Sequence, residues 1–298
     1  MKFDVRDSRF HQVISEDEVP EEIATGFEMT EGPIWHPYEM HLTFSDVPGN
    51  TMYRWSEREG MSTFRAPSQM ANGNTYDPQG GIFTCEQATS RISYTDPEGQ
   101  YHIVATHFED KELNSPNDIV LKSDGSVYFT DPNYGRIMEF GGIIREQELP
   151  FQGVFRLDPK NSSLTLLADD FEKPNGLCFS PNEKQLFVND TDRKHIRVFD
   201  VLADGVVTNS RIWTHVGGEG LGAPDGMKFN QAGHLFCTGP GGIHVFDSDA
   251  NCLGIILLPE MWITNFTWGD KDLRSLYITA HPGSLYRLRM KAPGFKLF

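Results

Sequence analysis

One pattern recurs six times along the chain and restricts its fold more than any other feature. A polar residue, commonly followed by Gly, opens an apolar-x-apolar run. The copies read EGPIWHP from Glu31, NGNTYDP from Asn72, NDIVLKSDG from Asn117, NGLCFSPN from Asn175, DGMKFNQAG from Asp225 and NFTWGD from Asn265. Their leading residues are 41, 45, 58, 50 and 40 positions apart, the period of propeller blades. A second strand follows each copy (HLTFSD, GIFTCE, SVYFTD, QLFVND, HLFCTG, SLYITA) and ends at Asp46, Glu86, Asp131, Asp190, Gly239 or Ala280, always 14 or 15 positions on. Third strands come next: TMYRW, RISYTD, GVFRLDP, HIRVFD, GIHVFD and SLYRLR. The sixth copy runs out near Met290 after three strands, so a strand within Glu22 to Phe27 is expected to supply its outer member and close the ring. The expected fold is all-β: a single six-bladed β-propeller domain over residues 1–298, its ring closed by an N-terminal strand.

Composition agrees with many short strands, since 28 Gly and 18 Pro are spread along the whole chain. A net charge of −16 makes nucleic acid and anionic membrane poor partners. No apolar run is long enough to span a bilayer, and the start, MKFDVRDSRF, lacks the apolar stretch of a secretory signal. Cys85, Cys178, Cys237 and Cys252 show no paired spacing. A cytoplasmic protein with reduced thiols is therefore expected.

The acid surplus is either a solvated surface or a set of carboxylates converging on a cation, and the repeat register bears on which. In antiparallel neighbours the start of the first strand lies beside the end of the second, so both sets of polar residues share one face. Innermost strands line a propeller's channel, which places Glu31, Asn72, Asn117, Asn175, Asp225 and Asn265 around its mouth. Turn chemistry accounts for Asn and Asp there, but not for Glu31. Carboxylate and amide oxygens converging on one axis suit a hard divalent cation. Ca²⁺ is the expected ion, with Zn²⁺, Mn²⁺, Mg²⁺ and Fe²⁺ as alternatives. Asp46, Glu86, Asp131 and Asp190 could cap turns, hold a second ion or bind a polyhydroxylated ligand. Glu is a weak turn former, so Glu86 ranks first among these as a ligand contact. Between the second and third strands of the third copy lies the stretch NYGRIMEFGGIIREQELP, near 133–150, about sixteen residues more than the short gap of the other copies. It is a candidate lid or a plain surface loop. No nucleophile elbow, P-loop or dinucleotide fingerprint appears.

EGPIW, NGNTYDPQGGIFTCE, NSPNDIVLKSDGSVYFTDPNYG, PNGLCFSP and PDGMKF, in that order, resemble the SMP-30/gluconolactonase/LRE family, most closely its microbial gluconolactonase-like branch. The resemblance implies a six-bladed propeller with a divalent metal in its channel. It implies Glu31, Asn175 and Asp225 as metal ligands, with Asn117 the fourth or a contact through water or substrate. It also implies Asp225 as general base, with Glu31 the other catalytic candidate, while Asn72 and Glu86 fall near the sugar hydroxyls and Tyr134 stands where the insertion meets the pocket. Two positions depart from the pattern. Gln87 stands where the branch commonly has His, and Ser115 where the animal members have a substrate-binding Arg. The expected function is metal-dependent hydrolysis of a sugar aldonolactone, of gluconolactone or xylonolactone type, by a monomer or small homo-oligomer. Alternatives are a calcium-dependent phosphotriesterase or arylesterase, and a propeller that binds a partner without chemistry.

Overall fold

Strands of two to nine residues pair, in the computed structural model, into six antiparallel sheets of four or five strands and a two-stranded hairpin. The structure describes residues 2–138, 141–258 and 261–296. The innermost strands of blades one to six are Thr30–His36, Ala71–Tyr76, Ile119–Leu121, Pro174–Phe179, Met227–Phe229 and Trp262–Gly269. In the first five blades, the next three strands follow outward in chain order. The sixth takes its outer strand, Glu21–Thr25, from the N-terminus, paired antiparallel with Ser284–Arg289. A ring closed in this way leaves its first and last blades joined by hydrogen bonds, not by an open edge. Phe3–Val5 adds a fifth strand to blade five beside Cys252–Leu257, which the repeat pattern did not predict.

The blades pack face to face, so middle strands are buried on both sides and outer ones are not. His41–Asp46 is buried at every position, whereas Gly60–Arg65, at the rim of the same blade, is mostly exposed. Each apolar cluster lies between neighbouring blades: Phe83 and Ile92 of blade two meet Phe129 and Phe155 of blade three, and Tyr128 and Val154 meet Leu186 and Phe199 of blade four. The four cysteines are free thiols.

The inner strands are bulged at the repeat's signature residues. Register shifts fall between Glu31 and Ile34, Ala71 and Asn74, and Pro174 and Leu177. An extra residue in one strand twists it and re-aims its side chain, so each bulge turns the leading residue toward the channel mouth. The Gly that follows has a steric cause. A Cβ on Gly32 would overlap the carbonyl oxygen of Asn72, and one on Gly176 that of Asp225. In blades one, two and four the carbonyl of the next blade's leading residue thus abuts the backbone at this position, an approach that glycine allows.

The sixth copy is offset by one residue from the expected alignment. Gly226 N–H donates to Thr264 O at 2.8 Å, as Gly73 N–H donates to Asn117 O at 2.8 Å. Thr264, not Asn265, is therefore the blade-six counterpart of the leading residues.

Candidate functional site

A cavity of ≈ 430 Å³ opens at the channel mouth formed by the starts of the inner strands. The five oxygen-bearing leaders Glu31, Asn72, Asn117, Asn175 and Asp225 line it together with Thr264. Tyr134, Met138 and Gly141 of the insertion, with Gln87, Thr191, Asp192, Met29, Trp262 and His281, complete the wall. The ring is closely buried: Glu31, Asn72 and Asn175 are each 4% exposed and Asn117 6%.

Hydrogen bonds fix which atoms face inward. Thr191 Oγ1 donates to Pro224 O at 2.7 Å and accepts from Asn175 Nδ2 at 3.1 Å, which sets the orientation of the Asn175 amide. Asn175 Oδ1 is left buried with no hydrogen-bond partner. Both bonds that Glu31 accepts, from Gly32 N at 2.5 Å and Asn265 Nδ2 at 3.3 Å, end on Oε2. An unpaired buried acceptor costs about 1–3 kcal/mol unless something else supplies a positive charge. The donor set of Glu31, Asn117, Asn175 and Asp225 is all oxygen with two carboxylates, which fits a hard divalent cation. Among the described residues no cluster of three or more His, Cys, Asp or Glu side chains forms a metal site, so the amides are essential to this fit.

Electrostatics point the same way. Burial pushes the Glu31 carboxyl up to about 7, with Asp118 adding repulsion and Gly32 N–H opposing it. Asp225 is raised well above the usual carboxylate range, first by burial and then by Glu31 and Asp118, against an opposing hydrogen bond from Asn175. Two acids that resist ionisation side by side form a site that gains free energy from a cation.

Tyr134 starts a four-residue helix, Tyr134–Ile137, at the root of the insertion. Its hydroxyl is buried without a hydrogen-bond partner, and burial holds it above the ordinary phenol range. The root is anchored. Arg136, 1% exposed, donates to Asn114 O at 2.8 Å, to Leu113 O at 2.7 Å, to Glu146 O and to Glu112. Ser115 Oγ accepts Gly135 N at 2.9 Å and donates to Pro132 O at 2.6 Å. Ser115 therefore supports the insertion's backbone, at the position where the animal members use Arg on substrate.

Glu86 corrects an expectation. It is fully buried away from the cavity, and its carboxylate is consumed by Arg91 at 2.6 Å, Arg65 at 3.1 Å, Ser93 at 2.6 Å, Tyr101 at 3.0 Å and Thr89 at 3.0 Å. No acceptor capacity remains for a sugar hydroxyl. The adjacent Gln87 lines the cavity in its place. Asp46, Asp131 and Asp190 serve as backbone clamps. Asp190 accepts Glu172 N at 2.8 Å, Lys173 N at 3.2 Å and Arg193 N at 3.1 Å, and Asp46 accepts Glu28, Met29 and Gly49 in the same pattern. Asp131 accepts Asn114 N at 2.8 Å.

Sequence reasoning missed Asp118, Lys228, Thr191 and Asp192. Asp118 had a visible signal: it stands directly after a leader, where most copies have Gly. Lys228 was a lone cation inside an apolar strand, DGMKF. Thr191 and Asp192 follow a strand end and carried no sign of their own.

An oxygen-lined cavity at one channel mouth, with partnerless acceptors on its floor, defines a propeller that works through its channel. The chain belongs to the SMP-30/gluconolactonase/LRE-like family, whose model matches residues 29–282. It is 35% identical over 296 residues to a gluconolactonase of Zymomonas mobilis, covering 92% of this chain and 82% of that one. It is 24% identical over 271 residues to a pentonolactonase of Haloferax volcanii, covering 88% and 84%. Among solved structures, a gluconolactonase of Xanthomonas campestris superposes with a TM-score of 0.88 at 31% identity, covering 97% of this chain and 95% of that one.

Proposed function

We propose that this protein is a lactonase that opens a sugar aldonolactone to its aldonic acid with the help of a divalent cation, Ca²⁺ first. Family membership and the likeness to gluconolactonases support the reaction. The observation that carries the cation is Asn175 Oδ1, buried and partnerless beside Glu31 and Asp225 at the cavity floor. Glu31, Asn117, Asn175 and Asp225 would hold the ion, which when bound supplies Lewis-acid polarisation of the lactone carbonyl.

The chain's own groups do the rest. Asp225, its proton affinity raised by burial and by its acidic neighbours, accepts the proton of the attacking water as that oxygen bonds to the carbonyl carbon. The ring C–O bond then breaks and the departing oxygen takes a proton, giving a hydroxy acid. Asn72, Gln87 and the Tyr134 hydroxyl face the cavity as hydrogen-bond partners for ring hydroxyls. The insertion closes one side with Tyr134 and Met138, and we read it as a wall and partial lid that limits water.

The rim of Met29, Met138 and Trp262 is apolar, which favours one second reading, hydrolysis of an aryl ester or phosphotriester. Gluconolactone, xylonolactone and paraoxon as parallel substrates separate the two. The main test follows lactone opening above its spontaneous rate, before and after chelation and with Ca²⁺, Zn²⁺, Mn²⁺, Mg²⁺ or Fe²⁺ restored. Chelation is expected to abolish activity and one ion to restore it. Full activity in the chelated protein would refute the cation's role, and an absence of opening on every lactone would refute the reaction.

A further inference from the structure

Beneath the ring of leaders lies a second layer, made by the residue that follows each of them: Gly32, Gly73, Asp118, Gly176, Gly226 and, by the corrected alignment, Asn265. Four are glycines, so only Asp118 and Asn265 put side chains into the channel at this level. Both line the cavity of ≈ 490 Å³ at the opposite channel mouth, with Lys228. Asn265 is 2% exposed and every polar atom of its side chain is committed. Its Oδ1 accepts Lys228 Nζ at 2.9 Å and Phe266 N at 2.9 Å, which leaves Nδ2 to donate to Glu31 Oε2 at 3.3 Å.

We infer that Asn265, oriented by Lys228, is a positioning residue that aims Glu31 at the cation. This rests on the cation reading above. The reasoning is geometric. A glutamate has one more rotatable bond than the aspartate and asparagines around it, so it needs more restraint to present a fixed oxygen. Gly32 N–H and Asn265 Nδ2 both hold Oε2. Donation by Lys228 and Phe266 to Oδ1 fixes the amide's orientation, because the reversed amide would face two donors with its own N–H groups. A chain of side chains thus runs from Lys228 at the opposite mouth through Asn265 to Glu31 at the candidate cation site.

The experiment titrates Ca²⁺ calorimetrically into chelated wild type, Asn265→Leu, Asn265→Ala and Glu31→Gln, and measures urea unfolding of the cation-free proteins. We expect both Asn265 variants to bind Ca²⁺ about 10–100-fold more weakly, while still unfolding cooperatively in urea at a lower midpoint, since Lys228 Nζ and Phe266 N lose their acceptor. Activity should return toward the wild-type kcat at saturating Ca²⁺. Lys228→Arg, which keeps the donor, should stay within about threefold of wild-type affinity, while Lys228→Met should not. Wild-type-like affinity in either folded Asn265 variant, with binding lost in Glu31→Gln, would overturn the positioning role alone. Absence of Ca²⁺ binding in wild type would overturn the cation reading and this inference with it.

Discussion

Asn175 and Asp190 stand across one strand pair of blade four and do opposite jobs. Asp190 is saturated: three backbone N–H groups end on its carboxylate. Asn175 gives its N–H to Thr191 and keeps a buried oxygen with no donor. The contrast extends around the ring. The outer set, Asp46, Glu86, Asp131 and Asp190, ties blades together, while Glu31, Asn117, Asn175 and Asp225 face a cavity. Acceptors on facing positions of a strand pair are thus saturated by backbone in one case and left open beside the cavity in the other.

Five measurements can break or sharpen this division. The largest effect is expected for Asp225→Ala, with lactone hydrolysis falling at least about 1,000-fold, roughly 4 kcal/mol of transition-state stabilisation. Its cation-free stability should be unchanged or higher, since a carboxyl that resists ionisation has been removed. The mirror image is Asp46→Ala, expected to lower unfolding free energy in urea by about 3 kcal/mol through the orphaned amides while the folded fraction keeps its turnover. Glu86→Gln belongs with it: stability should fall and KM for the lactone should not move. A KM increase there would return Glu86 to the substrate.

Asn175→Ala should weaken Ca²⁺ binding on the order of 30-fold, about 2 kcal/mol, with little change in cation-free stability. The smallest effect is a pH dependence. Glu31 is pushed up to about 7 from an ordinary value of 4.5, so the folded cation-free protein holds a proton that the unfolded chain releases in that window. Its contribution to stability is therefore present at low pH and declines as pH rises toward 7. Ca²⁺ competes with that proton, so the Ca²⁺-induced rise in unfolding midpoint should grow between pH 5 and 7.5. Asp131, also pushed up to about 7 by burial, does not line the cavity and drops out of this difference. A Ca²⁺ effect independent of pH would remove Glu31 from the cation's coordination.

Much of this was legible in the chain. The repeat fixed the blades, the strand order and the closing strand because a period of this length and alternation within strands are local properties of the sequence. The leaders were legible because Glu31 broke a turn explanation that suited the rest. That explanation misjudged the geometry: Asn175-Gly176 sits in a bulged strand, Pro174–Phe179, not in a turn. The misplacement of Asn265 by one residue has the same origin, since a bulge shifts register without leaving a mark in composition.

The sequence by itself determined that oxygen-bearing side chains would recur at equivalent points around one axis. Only the tertiary structure decided which of them remain available to a ligand. Availability depends on what each side chain meets after folding: Arg65 and Arg91 around Glu86, the amides of Glu172 and Lys173 on Asp190, and Thr191 Oγ1 accepting from one end of Asn175 with nothing on the other. Arg65 on Glu86 reaches across a blade boundary, and the amides and Thr191 come from residues 16 to 18 positions away in sequence. The clamps on Asp46 and Asp190 recur with the blades, but Arg65 on Glu86 and the unpaired Asn175 Oδ1 exist only once the strands have paired and the blades have packed.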